Sequence, residues 1–292
     1  MGFSVNTNNG AAAALQSLTA TSRALNTTQS RINTGLNVSS TKDDSSAYTI
    51  AQSLRSDVGG LKAVSSSLSR AKSVTDVAIA GAEQISDVLG QLKAKAQQAS
   101  DAGIDAPTLA ALNKDFTALR DQITTIVNGS TFNGTNLLKS SSGAAGAVTA
   151  LQSLGGAVTA SGTTTYTPDT LSVANVDLDL GSASGTFKSL TSTTDISTTA
   201  LAKTAVGTIT DAQASLATKL SDLGAASRQI DAQSTFTSKL SDVIDAGIGN
   251  LVDADLAKES ARLQALQVKQ QLGVQALSIA NQAPQTITSL FR

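Results

Sequence analysis

Two places in the sequence set a serine three residues before a lysine: Ser39 with Lys42, and Ser69 with Lys72. On a helix that spacing brings hydroxyl and amine to one turn, as in the serine-x-x-lysine motif of penicillin-binding enzymes. Such an enzyme also needs lysine-threonine-glycine and serine-aspartate-asparagine partners. Neither tripeptide occurs here. Asp177 and Asp179 form a carboxylate pair, but the other ligands of a calcium loop do not follow. A solvated strand face is the simpler reading. Cysteine and histidine are both absent. That leaves no disulfide framework, no thiolate chemistry and no basis for a zinc or copper site. It also leaves no side chain with an ordinary pKa near neutrality. Aromatic residues make up 3% of the chain, too few for the usual apolar ligand pocket. The net charge of -1 supplies no basic face for nucleic acid. The expectation is a non-enzyme with no catalytic, cofactor-binding or metal residues and no cofactor.

What remains is a scaffold, and its main element is one long stripe. Steps of three and four from Ala47 to Ala99 meet Ile50, Leu54, Asp57, Leu61, Val64, Leu68, Ala71, Thr75, Ala78, Ala82, Ile85, Leu89, Leu92 and Ala96. Only Asp57 and Thr75 break the row. That alternation is the seam of a coiled coil, and the helix would be roughly 80 Å long. Gly59-Gly60, Gly81 and Gly90 either loosen it or allow close approach.

The rest of the chain surrounds this helix. Residues 5–34 predict a first helix, with Leu15, Leu18, Leu25, Ile32 and Leu36 in register with Ser22 and Gln29, ended by Gly35. Its polar positions are almost uncharged, which suggests burial on both sides in an assembly. Pro107 begins a further helix running to about Val127, with Leu109, Leu112, Phe116, Leu119, Ile123 and Ile126 facing back onto the long one. Asn128-Gly129-Ser130 and Asn133-Gly134 are turn signals. From Ser140 to Ala200 the sequence is rich in Ser, Thr and Gly. The alternation Val176-Asp177-Leu178-Asp179-Leu180 suggests β-hairpins there. Helical periodicity resumes near Leu201 with Val206, Ile209, Leu216, Leu220, Leu223 and Ile230. It continues through Phe236, Leu240 and Val243 after a phase shift, to a bend at Gly247 and Gly249. A last helix, about Asp253–Ser289, carries two apolar rows. One holds Leu256, Leu263, Leu266 and Leu277; the other holds Val268, Leu272 and Ile279. After Lys269 no charge appears before Arg292. The N-terminus has no basic region and apolar core of a secretory leader, and no apolar run is long enough to span a membrane. The fold class expected is mainly α. Both chain ends form a long antiparallel coiled-coil helical hairpin, with a small β-rich central insertion.

Several of these segments resemble bacterial flagellin. Asn6-Thr7-Asn8, Thr34-Gly35-Leu36-Asn37-Val38-Ser39-Ser40-Thr41-Lys42-Asp43-Asp44, and Thr131-Phe132-Asn133-Gly134 before Leu137-Leu138 are similar to the family's N-terminal half. Ala280-Asn281-Gln282-Ala283-Pro284-Gln285-Thr286-Ile287-Thr288-Ser289-Leu290-Phe291-Arg292 is similar to its C-terminus. The resemblance covers roughly 1–139 and 201–292 and leaves the middle unmatched.

It implies a structural subunit that polymerises through its terminal helices into a hollow helical tube, the motility propeller. Residues 1–45 with 247–292 would be the terminal coiled-coil core lining the channel. Residues 46–139 with 201–246 would be a helical rod domain, and 140–200 a variable surface-exposed insertion. The subunit contacts expected are Leu15, Leu18, Leu25, Ile32, Leu263, Leu266, Leu272, Leu277, Ile279 and Phe291. The two ends would order on assembly. Implied partners are the chain itself, with or without other flagellins, and flagellar export chaperone, cap and junction proteins, with no nucleic acid and no membrane insertion. The implied location is extracellular, in the flagellum, reached by type III export. The receptor patch that some flagellins carry corresponds here to Leu89–Ala96, where Gln91, Ala94 and Lys95 diverge, which implies weak or no activation of the innate receptor. A hook–filament junction protein and a soluble coiled-coil adaptor are the competing readings.

Overall fold

A computed structural model of the chain describes residues 7–139, 147–161, 163–182 and 185–290. The element order is α1 (Asn9–Thr34), α2 (Ser45–Ala99), α3 (Ala106–Gly129), β1 (Val148–Ser161), β2 (Thr163–Val173), α4 (Thr199–Val252) and α5 (Leu256–Leu290). These divide into two compact units, Met1–Val58 with Asp242–Arg292, and Gly59–Ser241.

In the Gly59–Ser241 unit the apolar residues of α2 recur every seven positions. Leu61, Leu68, Thr75, Ala82, Leu89 and Ala96 make one row, and Val64, Ala71, Ala78, Ile85, Leu92 and Ala99 the other. All twelve are buried. Val74 and Val88 are buried beside them, so the helix is covered over more than a narrow seam. Thr75 does not break the stripe, because its hydroxyl donates to the carbonyl of Ala71 at 2.9 Å. A threonine satisfied within its own helix enters a core without an orphaned hydroxyl.

On α4 the buried row is Ala202, Ile209, Leu216, Leu223, Ile230 and Thr237. The expected phase shift does not occur. The row holds its seven-residue step through Thr237, whose hydroxyl donates to Gln233 O at 2.9 Å, while Phe236 is 56% exposed. Further along α4, Val243 is exposed as well. The expected bend at Gly247 and Gly249 is also absent, since α4 continues to Val252.

α2 runs unbroken through its glycines. A β-carbon at Gly81 would overlap the Ser130 hydroxyl and crowd the Leu138 side chain, whereas one at Gly90 would meet open space. Gly90→Ala is expected to stabilise the chain by about 1 kcal/mol through helix propensity. Gly81→Ala is expected to destabilise it by about 1–3 kcal/mol through overpacking. Denaturant unfolding of the two variants side by side checks both signs.

α3 starts after Asp105, which is extended, with Pro107 in the first turn. It buries Phe116, Ile123 and Val127 in the same core, and Lys95 of α2 meets Asp115 of α3 at 2.8 Å. The chain then reverses at Asn133 (φ 48°) and Gly134 (φ 78°). Phe132 and Thr135 exchange both backbone hydrogen bonds at 3.0 Å. This is the two-residue turn that an Asn-Gly pair favours. Asn136 donates to Val127 O at 2.6 Å and accepts from Leu138 N at 2.8 Å, which seats Leu137 and Leu138 in the core.

The insertion holds one antiparallel hairpin, β1 with β2, paired from Val148↔Val173 to Ser161↔Thr163 and irregular between Leu151 and Gly156. The strand predicted at Val176–Leu180 is a correction: this stretch is irregular. Asp177 has φ 43°, which breaks strand geometry. Val176 and Leu178 are nonetheless buried, their N–H groups donating to Leu137 O and Leu138 O at 2.8 and 2.6 Å. Asp177 is likewise off any solvated strand face, since its carboxylate accepts the Ser182 hydroxyl at 2.7 Å. The insertion faces outward only in part. Thr167–Thr170 are exposed, but Val148, Ala150, Leu171, Val173, Phe187 and Ile196 join the helical core.

In the unit formed by the chain ends, α1 is capped by Asn8, whose side chain accepts from Ala11 N at 3.0 Å. It ends at Gly35 (φ 71°), whose N–H donates to Arg31 O. Leu36 bridges Asp253, so α5 begins at Leu256, later than its pattern suggests. Asp255 caps it by accepting from Ala257 N and Lys258 N at 3.0 and 3.1 Å. Val38, Ala51, Val58, Ile248 and Val252 form a small core. Ile50, expected on the stripe, is 48% exposed, and Ala51 is buried in its place. Here the contact line is set by Val38 and the end of α4 and passes one residue along α2.

Candidate assembly surface

Neither serine–lysine pair is arranged for catalysis. The Ser39 hydroxyl donates to Asp43 Oδ2 at 3.0 Å. The same oxygen accepts the backbone N–H groups of Ser39 and Ser40 and the Ser40 hydroxyl. The Ser39 hydroxyl, then these other donors, hold the Asp43 carboxyl below its usual pKa. Lys72 is hydrogen-bonded to Asp231 at 3.1 Å with Asp76 at 3.6 Å. The Asp231 bond raises its pKa above the ordinary lysine value, so the amine stays charged and is no general base. Among the described residues no group of three or more possible metal ligands occurs, and no helix is long and apolar enough to cross a membrane.

The feature that stands out is the pairing of α1 with α5. The two helices run antiparallel, with Asn8 donating to Ala280 O at 2.7 Å, Leu18 against Gly273, and Arg31 against Glu259 at 3.4 Å. The inner side of α1 carries Ala11, Ala14, Leu18, Thr21, Leu25, Thr28 and Ile32, again in steps of three and four. Small residues allow close approach, and Gly273 leaves room for Leu18.

The expected contact residues fall into two sets. Leu18, Leu25, Ile32, Leu263 and Leu277 are half-buried and Leu266 is buried; these six lie on the sides where the helices meet. Leu15 (55%), Leu272 (57%) and Ile279 (68%) remain exposed. At about 100° per residue, Val268, Leu272 and Ile279 share the side of α5 opposite Leu266 and Leu277. Phe291 lies outside the described residues. Sequence reading missed Val274, which is 54% exposed. It belongs to neither three-four row, and only its place in a charge-free stretch signals it. At the divergent patch, Gln91 and Ala94 are exposed and Lys95 is half-buried in its ion pair with Asp115.

Comparison with known proteins finds the bacterial flagellin N-terminal helical region over residues 5–143 and the bacterial flagellin C-terminal helical region over residues 206–291. Flagellin FljM of Caulobacter vibrioides is 44% identical over 289 residues, covering 99% of this chain and 98% of its own. This chain belongs to the bacterial flagellin family. A flagellin of Brucella melitensis is 39% identical with 99% of both chains covered, and Flagellin C of Rhizobium meliloti 33% identical with 99% of both. The flagellin is a structural subunit of the bacterial flagellar filament, and it works by self-assembly. The two matched regions hold α1 to α3, most of α4 and α5. The hairpin β1–β2 lies between them.

Proposed function

We propose that the outward apolar residues of the unit formed by the chain ends are what neighbouring subunits cover in the filament. The observation that carries this is an imbalance. Among its described residues that unit has one core cluster of five buried apolar residues, yet it leaves Leu15, Val268, Leu272, Val274 and Ile279 more than half exposed. The other unit buries a large continuous core and exposes few. A charge-poor helix with apolar residues on two sides is incomplete in water. Each Leu, Val or Ile covered contributes about 1.5–3 kcal/mol gross, less the cost of ordering the helices.

In this reading residues 1–45 and 247–292 form the innermost layer lining the channel. Residues 46–139 and 201–246 form the next layer, and the exposed part of 140–200 faces outward. Leu18, Leu25, Ile32, Leu263, Leu266 and Leu277 join the two end helices, while Leu15, Leu272, Ile279 and Phe291 meet neighbours. The subunit leaves the cell by the flagellar type III route and acts outside it, with an export chaperone, a cap and junction proteins as transient partners. Several flagellins of one organism, Caulobacter vibrioides, match this chain at 39–44% identity, which supports a filament of mixed composition. Gln91, Ala94 and Lys95 differ in charge and shape from the patch that the innate receptor reads in some flagellins. Purified monomer is expected to give little or no signal in a receptor reporter assay, and a potent response refutes this.

The experiment for the main reading is electron microscopy of the full chain added to short filament fragments. Elongation supports it. Small discrete oligomers, where a known flagellin elongates, favour an adaptor, and a few copies per filament at one end favour a junction protein.

A further inference from the structure

The α1–α5 pair is not uniform along its length. At its free end the contacts are neutral and small: Asn8 with Ala280, and Leu18 with Gly273. At its base they are charged, and backbone hydrogen bonds tie together the segments that flank the two helices. Ala254 N donates to Gly35 O at 2.9 Å, and Asn37 N to Val252 O at 2.7 Å. One turn above this bridge, Arg31 meets Glu259. Among the described residues it is the one ion pair joining α1 to α5. Arg262 adds a second cation 3.7 Å from the same Glu259 oxygen.

The placement is electrostatically consistent. Arg31 stands in the last turn of α1 and Glu259 in the first turn of α5. Each charge opposes the partial charge of its own helix end, and the antiparallel pairing sets those two ends side by side. The geometry is nevertheless a poor stabiliser. The Glu259 side chain is 9% exposed. Its Oε2 and the Nε of Arg31 are buried with no hydrogen-bond partner among the described residues. A half-satisfied buried pair gives little net stability, and its best-attested use is to specify a pairing.

We propose that Arg31 and Glu259, above the Gly35–Ala254 bridge, form a clasp at which α1 and α5 begin to pair. Closure then runs outward to the small-residue contacts at the free ends. The clasp steers two charge-poor helices into one alignment while the chain is joining the filament. This rests on the reading that the end helices become ordered as subunits assemble.

Seeded elongation separates the clasp from an ordinary contact. An interaction made early slows addition when lost, whereas one made late speeds departure. Glu259→Gln is expected to lower the elongation rate about tenfold while changing dissociation less than about twofold. Leu18→Ala, on the far half of the pair, is expected to do the reverse. The clasp is overturned if Glu259→Gln acts mainly on dissociation, or if Leu18→Ala slows addition equally. Should Glu259→Gln not elongate at all, Arg31→Glu with Glu259→Arg, in a chain that also carries Arg262→Gln, decides. That exchange restores the pair but sets each charge against its own helix end, so partial recovery supports the clasp and none overturns it. If the unmodified chain does not elongate fragments, the assembly reading falls and the clasp with it. If it does, only the variants bear on the clasp.

Discussion

A chain carrying Leu272→Asp and Ile279→Asp is expected to fold normally and fail to elongate filament fragments. Even with α1 and α5 paired, both side chains stand in water, at 57% and 68% exposure. Replacing them removes no internal contact and costs only helix propensity, about 0.5 kcal/mol each. Once a neighbour covers that side of α5, each aspartate becomes a buried charge without a partner, at several kcal/mol. A loss of that size is roughly 100- to 1000-fold or more in elongation at fixed concentration. Circular dichroism and the thermal midpoint of the soluble chain provide the control and should barely move. Undiminished elongation would remove the outward row from the interface.

Phe116→Ala is expected to have the opposite profile. Phe116 is fully buried on α3, in one core with α2 and α4. Truncation removes a large aromatic side chain and leaves a cavity in a close-packed interior, costing about 3–5 kcal/mol. In urea the midpoint should fall by roughly 1.5–2 M without a change in slope. A shift below about 0.5 M would mean that α2 and α4 close the gap, contrary to a rigid helical core.

The two variants mark what the sequence disclosed and what it withheld. The three-four row of α2 was legible because every position from Leu61 to Ala99 obeys one period. The α1 terminus was legible because Gly35 stands where a left-handed cap is needed. The turn at Asn133-Gly134 was legible because two residues with positive φ leave few alternatives. Thr237 was not legible. Hydropathy scores a threonine as polar, and nothing local reveals that its hydroxyl is satisfied by Gln233 O. The Val176–Leu180 alternation misled for a related reason. Burial of every second residue arises wherever an extended segment lies on a core, and Leu137 and Leu138 supply the hydrogen bonds that a sister strand would. At the assembly surface, two rows on α5 were visible, but not which row α1 covers. That choice depends on the placement of Leu18 against Gly273, a contact between residues at opposite ends of the chain.

The seven-residue repeat of α2 has a torsional consequence. A straight α-helix does not return to the same face after seven residues but drifts by about 20°. From Leu61 to Ala96 that drift would accumulate to about 100°, enough to carry Ala96 from the core into solvent. Yet Ala96 is as buried as Leu68. A seven-residue repeat held over this length predicts that the helix winds left-handedly with its partners, with the handedness written into the repeat rather than into any one residue. Four extra residues in the row would unwind it locally, and three would overwind it. Insertions of each length in α2 are thus a direct route to altering twist in a subunit without altering its chemistry.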